Sequence, residues 1–405
     1  MPDNSIYTFG DSNINLQNIE NSTVTIIIGD QVKPEVKAKK LSINDMFTEI
    51  IQKLAEFERL QATKETKPEI VDADLFGEVQ WDDLLDSIQY NKCVVFLGPE
   101  ISVDENGVSL HENFNRSSGK QGLEYNDKDS FFMPGQDKSD TEKDILMKVM
   151  KYYSNQFAAQ NTIGHQIIEN IAKIPFPLIV SVAPDETIHK VFHEHNKPHN
   201  FYAYNGKTLD VQVPTVENPV LYNLLGSPLG SPVDKLAPGN ANDKAFYIFM
   251  HEHYYDYMQK STNVRLPLNI GDMVRNAHRL LFIGVDFNKW YNRLLMFCLD
   301  VKAKGFSCYP TDLEIVHSNF IKQQFKIAHA QGNYLKFVEI LLSKCIERGL
   351  YKPLYRYFIE QTLQQVSDQR IHAMKTDNEG DLQEIVICIE KLRDGTINKL
   401  NNVKK

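Results

Sequence analysis

Cysteine is scarce and scattered in this chain of 405 residues, and what the sequence lacks excludes several classes of protein. The cysteines are five in number and include no C-x-x-C pair, so neither a zinc ribbon nor a disulfide framework is indicated. No apolar run is long enough to cross a bilayer. The first residues lack the basic-then-apolar plan of a signal peptide. We therefore expect a cytoplasmic protein in a reducing compartment, without a membrane span or a bound metal.

An excess of positive charge is also missing. The chain has 44 Lys and Arg against 53 Asp and Glu, a net charge of -9 and a pI near 5.8. This balance leaves no general electrostatic footprint for nucleic acid, so we expect no nucleic-acid partner. Apolar residues make up 42% of the chain, which is enough for a sizeable core, and the length favours more than one structural unit.

The stretch 93–102 is the feature around which the chain is organised. Residues 93–97 are all apolar and lead directly into Gly98. An unbroken apolar run is typical of a strand buried on both faces, and such strands belong to parallel sheets flanked by helices. A phosphate could lie in the turn at Gly98, against backbone N–H groups. The turn lacks a full G-x-G-x-x-G, however, and many strand–turn–helix corners bind nothing.

Further strands and helices alternate after this stretch. We predict a single α/β domain over about 75–310. Its strands fall at 174–182, 219–227 and 279–284, and its helices at 81–88, 141–156, 159–173, 187–192 and 287–295, with Asp185 able to cap the helix at 187. The long polar stretch 103–143 is either a lid over a site or a disordered insertion.

Both ends of the chain differ from this domain. Residues 1–30 alternate polar and apolar side chains over 13–19 and 22–28, which predicts short strands. They form either a docked hairpin or a self-association segment, because exposed strand edges pair readily. Residues 31–74 read as a linker and one amphipathic helix with Ser42 as a possible cap. Its apolar stripe comprises Ile43, Met46, Phe47, Ile50, Ile51, Leu54, Phe57 and Leu60.

The last part of the chain, 311–405, is predicted to be helical. Apolar spacing indicates helices at 315–327, 334–342, 351–366 and 382–400. Residues 374–381 are polar and read as a loop. We expect this region to pack against, or bind, a partner.

Four stretches, in chain order, resemble a sirtuin-like domain of the divergent prokaryotic type associated with antiphage defence. Residues 96–102 are similar to the family's Gly-Ala-Gly-x-Ser turn, and 179–192 to its strand, Thr-x-Asn-x-Asp motif and helix. Residues 222–227 resemble the Leu-His-Gly-Ser block, and 281–295 the closing strand and aromatic-rich helix. The leader over 1–30 also resembles leaders of bacterial conflict-system effectors.

The resemblance covers about residues 80–300 and implies a Rossmann-like fold that binds NAD or a related nucleotide. The positions that it implies for the cofactor are Gly98, Glu100, Ser102, Asp185, Gly226, Ser227 and Gly284.

The departures from the family pattern decide the functional prediction. The family's catalytic asparagine falls on Ala183, its catalytic histidine on Leu225, and the middle glycine of its turn on Pro99. Neither Ala183 nor Leu225 can hydrogen-bond through its side chain or move a proton, and Pro99 removes a backbone donor. Loss of a catalytic base costs about 10²–10⁴ in rate. The resemblance therefore implies a degenerate module that does not cleave NAD by the family's route.

Other side chains could replace the missing pair. The candidates are Glu100, Asp185, His189 and His253. Glu100 and Asp185 are either paired carboxylates or helix caps. His189 and His193, with His195 and His199 after them, form either a metal-binding face or a solvated helix end. His253, in the segment 251–257, belongs either to a site-closing element or to an aromatic-rich core helix.

Three functions remain open at this point. The first is a non-catalytic NAD-type nucleotide-binding or scaffold protein of a bacterial defence system, which forms a homo-oligomer or engages a partner defence protein. The second is an NAD hydrolase that uses non-standard residues. The third is a purely structural assembly protein whose old pocket is filled by Leu225 and Pro99.

Overall fold

The chain forms two compact units in its computed structural model. One unit contains Met1–Glu65 and Ile359–Lys405, and the other contains Thr66–Phe358. The structure describes residues 8–9, 12–13, 43–64, 76–101, 113, 123–126, 131–134, 163–182, 186–204, 209–227, 246–247, 266–299, 303–310, 313–375 and 379–404.

The larger unit is built on one seven-stranded, all-parallel sheet. Its strands are β1 (Cys93–Leu97), β2 (Leu178–Ser181), β3 (Asn200–Ala203), β4 (Val220–Asn223), β5 (Arg279–Ile283), β6 (Lys304–Tyr309) and β7 (Ile327–Gln331). They lie side by side in the order β7-β6-β5-β1-β2-β4-β3. After β1 the chain adds β2, β3 and β4 on one side of β1. It then returns to add β5, β6 and β7 on the other side. The topological switch point therefore lies between β1 and β5, as in Rossmann-like folds.

Helices cover both faces of the sheet. On one face α2 (Trp81–Gln89), α3 (Ile163–Ala172), α4 (Thr187–Glu194) and α8 (Tyr334–Glu347) share a core with strand residues such as Val95 and Leu281. On the other face α5 (Leu268–Arg275), α6 (Trp290–Cys298) and α7 (Ile315–Gln324) pack against residues such as Phe96 and Phe282. Because both faces are buried, the central strands are continuously apolar.

The two halves of the sheet meet in a close backbone contact. The N–H of Gly98, directly after β1, donates to the carbonyl of Ile283 at 2.8 Å. A Cβ atom on Gly98 would lie 1.7 Å from the carbonyl oxygen of Gly284, so no larger residue fits. Gly284 itself has a φ of +72°, a conformation that favours glycine. The glycines predicted to end these strands are therefore required by packing and by backbone geometry.

The α/β fold with a parallel sheet is confirmed, and strands predicted near 93, 174, 219 and 279 correspond to β1, β2, β4 and β5. Strands β3, β6 and β7 were not predicted. The prediction of a helix through residue 327 is wrong, because the helix ends at Gln324 and Ile327 begins β7. The sheet thus continues past the boundary placed near residue 310.

The smaller unit is helical. Its first helix, α1 (Ile43–Lys64), packs against α10 (Glu379–Lys404), while α9 (Leu354–Lys375) contains the division between the units. Lys404 pairs with Glu56 at 2.7 Å and Arg393 lies 4.0 Å from Glu49, so α1 and α10 run in the same direction. The predicted stripe of α1 is confirmed by the burial of Met46, Phe47, Ile50, Leu54 and Phe57.

Three short antiparallel pairs complete the described elements: Thr8–Phe9 with Ser12–Asn13, Leu123–Asn126 with Phe131–Pro134, and Gly226–Ser227 with Phe246–Tyr247. All but the first residue of the strand predicted at 13–19, the strand predicted at 22–28, the helix predicted at 141–156 and most of the stretch 103–143 lie outside the described residues. Among the helices that are described, none has both the length and the apolarity to span a membrane.

Gly98→Ala tests the contact that joins the two halves of the sheet. We expect a loss of about 3 kcal/mol in the free energy of unfolding, because the new methyl group meets backbone atoms that cannot rotate away. The measurement is urea unfolding followed by circular dichroism. The control is Gly395→Ala in α10, where nothing lies within 4 Å of the new Cβ and a gain of about 0.5–1 kcal/mol is expected. Equal stability of Gly98→Ala and wild type would contradict the close contact.

Candidate functional site

The candidate site lies at the carboxyl edge of the sheet, where β1 and β5 end side by side. Ligands of open α/β sheets bind outside this edge, at the switch point. The turns that follow the two strands carry Gly98 and Glu100 on one side and Gly284 and Asp286 on the other. The structure thus brings three of the predicted cofactor positions, Gly98, Glu100 and Gly284, to one place.

The turn after β1 offers few backbone donors to a ligand. The N–H of Gly98 donates to Ile283, the N–H of Ile101 donates to the carbonyl of Gly98 at 3.4 Å, and Pro99 has none. The N–H of Gly284 also points into the sheet, toward the carbonyl of Cys308 at 3.3 Å. A phosphate cradle needs several outward N–H groups, and these four positions do not supply them.

One ion pair crosses the switch point. The ammonium of Lys289 lies 3.0 Å from the Glu100 carboxylate, and their side chains are only 9% and 21% exposed. The pair links the turn after β1 to the segment between β5 and α6. Because each charge is largely removed from water, both partners are held in position.

A second polar group lies beside this ion pair, at the ends of β5 and β6. Tyr309 lies beside Asp286, and its ring meets the ring of Tyr334 edge-on with the centroids 5.9 Å apart. Burial, followed by the negative charge of Glu100, raises the pKa of Tyr309. Burial and the neighbouring Tyr309 raise the pKa of Tyr334 in the same way. Both phenols therefore stay protonated near neutral pH and can donate hydrogen bonds.

The backbone around Asp286 is fixed by its own contacts. Its carboxylate accepts the N–H of Asn288 at 2.9 Å, and its carbonyl accepts the side-chain amide of Asn292 at 2.8 Å. Arg293 donates to the carbonyl of Asn288 at 2.7 Å. The carboxylate is thus held at the edge of the sheet by a local network, as a binding group must be.

Buried polar groups also end the other half of the sheet, at β2 and β4. The hydroxyl of Ser227 donates to the carboxylate of Glu186, and these residues are 1% and 5% exposed. Ser181 and Asn223 are buried beside the same strand ends, at 4% and 0% exposure. Among the described residues, the carboxyl edge therefore holds three acids, Glu100, Glu186 and Asp286, on neighbouring strand ends.

The remaining predicted positions divide into three groups. Gly226 and Ser227 lie after β4, and Ser227 contacts Glu186. Leu225 is 5% exposed and belongs to the core on one face of the sheet. Ser102, Ala183, Asp185 and His253 lie outside the described residues, and the position directly before α4 is Glu186.

His189 lies away from Glu100. It contacts His199 and Phe201 at the edge strand β3. Glu100 follows β1, and the sheet order places two strands between β1 and β3, so the spacing of strands puts β3 about 14 Å from β1. Glu100 and His189 therefore do not form a joint acid–base pair. Within the described ranges, no three His, Cys, Asp or Glu side chains are grouped so as to hold a metal ion.

Sequence reasoning missed Glu186, Asp286, Lys289, Tyr309 and Tyr334. Asp286 and Lys289 follow the glycine that ends β5, a position that could have drawn attention. Tyr309 ends β6, a strand that was not predicted, so its place beside Asp286 could not be found from the sequence.

Comparison with known proteins adds no family to this description. No protein-family model matches the chain, and no curated protein is similar to it. A Rossmann-like fold hosts many unrelated activities, so the functional argument depends on the site.

Ser227→Ala tests the buried pair after β2 and β4. We expect a loss of about 1–3 kcal/mol in the free energy of unfolding, because the variant removes a hydrogen bond from a buried carboxylate. Chemical unfolding of the variant measures this loss. Ser318→Ala, at a half-buried position of α7, serves as the control and should change stability by less than about 0.5 kcal/mol. If Ser227→Ala unfolds with the same free energy as wild type, the hydrogen bond from this hydroxyl to Glu186 does not stabilise the fold.

Lys197→Met tests the lowered pKa of a buried lysine that lies three residues before β3. Lys197 is 4% exposed, its ammonium donates to the carbonyl of Ala172 at 2.6 Å, and burial lowers its pKa to about 7 from 10.5. The unfolded chain holds this proton more tightly, so the stability of the wild type should rise from about pH 7 to about pH 10.5, by up to about 1.4 kcal/mol per unit.

In Lys197→Met this rise should disappear, and unfolding measured at several pH values will report it. Lys322→Met, at an exposed position of α7, should keep the rise. Parallel pH profiles of wild type and Lys197→Met would contradict the lowered pKa.

Proposed function

We propose that this chain is a non-catalytic, sirtuin-like nucleotide-binding or scaffold module of a bacterial defence system. It binds an NAD-type ligand at the carboxyl edge of its sheet, and it self-assembles or engages a partner effector. One observation carries the proposal: polar binding groups gather at the switch point, while the positions of the family's catalytic pair are Ala183 and Leu225.

The groups at the switch point suit a sugar better than a phosphate. Carboxylates such as Glu100 and Asp286 accept hydrogen bonds from ribose hydroxyls, as acids at strand ends do in dinucleotide-binding folds. The hydroxyl oxygen of Tyr309, which lies beside Asp286, can accept a hydrogen bond from a ribose hydroxyl. The negative charge of these acids and the inward N–H groups of Gly98 and Gly284 disfavour a phosphate here. We therefore place the ribose of the ligand between β1 and β5.

The contacts of the remaining residues support binding without chemistry. Leu225 is buried among apolar side chains and cannot take up a proton. Glu100 is engaged by Lys289, and His189 by His199. A general base must reach the proton that it removes, and His189 lies too far from the switch point to do so. Glu100 lies at the switch point, where we assign it the role of accepting a hydrogen bond and not of removing a proton.

The helical unit offers surfaces for a partner. Ile371 and Met374 near the end of α9, and Ile387 near the beginning of α10, are 47%, 67% and 49% exposed. Apolar side chains that remain open to solvent are common at protein–protein contacts. They support the scaffold part of the proposal.

The test measures binding and turnover in the same samples. The purified chain is titrated with NAD, ADP-ribose and adenosine by calorimetry, and nicotinamide release is followed by chromatography. We expect binding without release of nicotinamide. Glu100→Gln should weaken binding about tenfold or more, because a hydrogen bond to a charged acceptor is lost. Glu339→Gln on α8, a partly exposed acid paired with Lys336, is the matched control and should bind as wild type does.

Each contrary result has a distinct meaning. Nicotinamide release that Glu100→Gln abolishes would overturn the non-catalytic proposal in favour of an NAD hydrolase. No binding of any of the three ligands would overturn the nucleotide-binding part and leave the assembly protein. Light scattering of the same sample reports whether the chain self-associates.

A further inference from the structure

A histidine pair joins helix α4 to the edge strand β3, far from the switch point. The Nδ1 of His189 lies 2.8 Å from the Nε2 of His199, the residue directly before β3. The ring of His189 stacks on Phe201 within β3 at 4.6 Å, and the ring of His199 meets Phe192 of α4 edge-on at 5.3 Å. The beginning of the edge strand is therefore held to α4 by this pair.

The position of one proton follows from the neighbours of His199. Its Nδ1 lies 2.8 Å from the carbonyl of Lys197, and a carbonyl can only accept, so Nδ1 carries a hydrogen. The bond between Nε2 and His189 then needs one hydrogen between two nitrogens. A first added proton can go to Nε2 of His199 if His189 changes tautomer, so that its Nδ1 accepts and its Nε2 carries the hydrogen. A second proton places two N–H groups face to face, and the bond is lost.

The surroundings oppose charge on this pair. Burial lowers the pKa of His199, the hydrogen bond to the Lys197 carbonyl raises it in part, and the charges of His193 and Lys197 lower it again, so that the net shift is downward. Lys197 is itself faced by Lys352, and the ring of Tyr357 lies near both ammonium groups, at 5.5 and 4.3 Å. The doubly protonated pair is thus strained by its own contact and by neighbouring cations.

A second cluster, just before this segment, responds to acid in the opposite direction. The carboxylate of Glu169 on α3 lies 3.2 Å from His195 and 3.5 Å from His165. The hydrogen bond to Glu169 raises the pKa of His165, while the two histidines lower the pKa of Glu169. His165 also feels the negative charge of Glu194. As pH falls, His165 gains charge opposite the Glu169 carboxylate, and the same carboxylate contacts His195 at 3.2 Å, so residue 195 stays fixed to α3.

We propose that the His189–His199 pair is an acid-sensitive latch on the edge strand β3. When the pair takes up its second proton in acid, the segment 196–204 separates from β4 while α3 and His195 keep their contact. The opening ends at His195 because Glu169 holds this residue, and the ion pair of Glu169 with His165 becomes stronger as pH falls. It leaves the backbone edge of β4 available for pairing with another strand.

Hydrogen exchange of the full chain tests the latch. In the folded state the N–H of Asn200 donates to Pro219 and the N–H of Tyr204 donates to Asn223, both at 2.9 Å. Exchange at pH 7.5 and 5.0, corrected for intrinsic rates, should show at least a tenfold loss of protection in 200–204 at the lower pH. Peptides that contain β1 and α3 should keep their protection.

Variants separate the latch from general acid unfolding. His199→Gln stays neutral at both pH values and should remove the difference in 200–204. His189→Phe keeps a ring on Phe201 but cannot pair, so its protection should be low at both pH values. His372→Gln, at an exposed position of α9, should behave as wild type does.

Two results would overturn the proposal. One is an equal loss of protection in β1, α3 and β3, which would mean global unfolding. The other is an acid-induced loss in β3 that persists in His199→Gln and His189→Phe.

Discussion

The contact between Gly98 and Gly284 is the constraint on which the rest of the larger unit depends. It sets the register of the innermost strands, with Leu97 beside Ile283, and it lets the two halves of the sheet close without a gap. The same contact turns the local N–H groups inward. In a more open turn these N–H groups could bind a phosphate, whereas here they hydrogen-bond to carbonyl groups of the neighbouring strands. The packing of the two strands and the inward direction of the N–H groups of Gly98 and Gly284 therefore have one origin.

The electrostatics of the carboxyl edge follow from that joint. With the backbone donors used within the sheet, recognition is left to side chains, and the described edge carries Glu100, Glu186 and Asp286 against Lys289. Such a surface accepts hydrogen bonds from neutral groups and repels anions. Leu225, the position that the proposed resemblance assigns to a catalytic histidine, is buried among apolar side chains. The proposed module thus retains the shape of a nucleotide-binding fold with a different polarity.

The sequence predicted the centre of the sheet better than its margins. β1 is an unbroken apolar run, because helices cover it on both faces. β7 has His329 in its middle and Gln331 at its end, so it has partly exposed positions and carries no such run. Site partners were harder to predict than strands. Lys289 meets Glu100, and Tyr309 meets Asp286, only because Leu97, Ile283 and Cys308 lie in one register across β1, β5 and β6, and strand register is a property of the folded sheet.

The parallel packing of α1 and α10 has a consequence for the timing of folding. The two helices come from distant parts of the chain, and everything between residues 64 and 379 is made after α1 and before α10. At ribosomal rates of about 5–20 residues per second, α1 exists for about 15–60 s before its partner helix emerges. During that interval the apolar stripe of Phe47, Ile50 and Leu54 lacks this cover, long after a helix of its length can form. The newly made chain therefore passes through a period in which α1 can be captured by a chaperone or by another nascent chain.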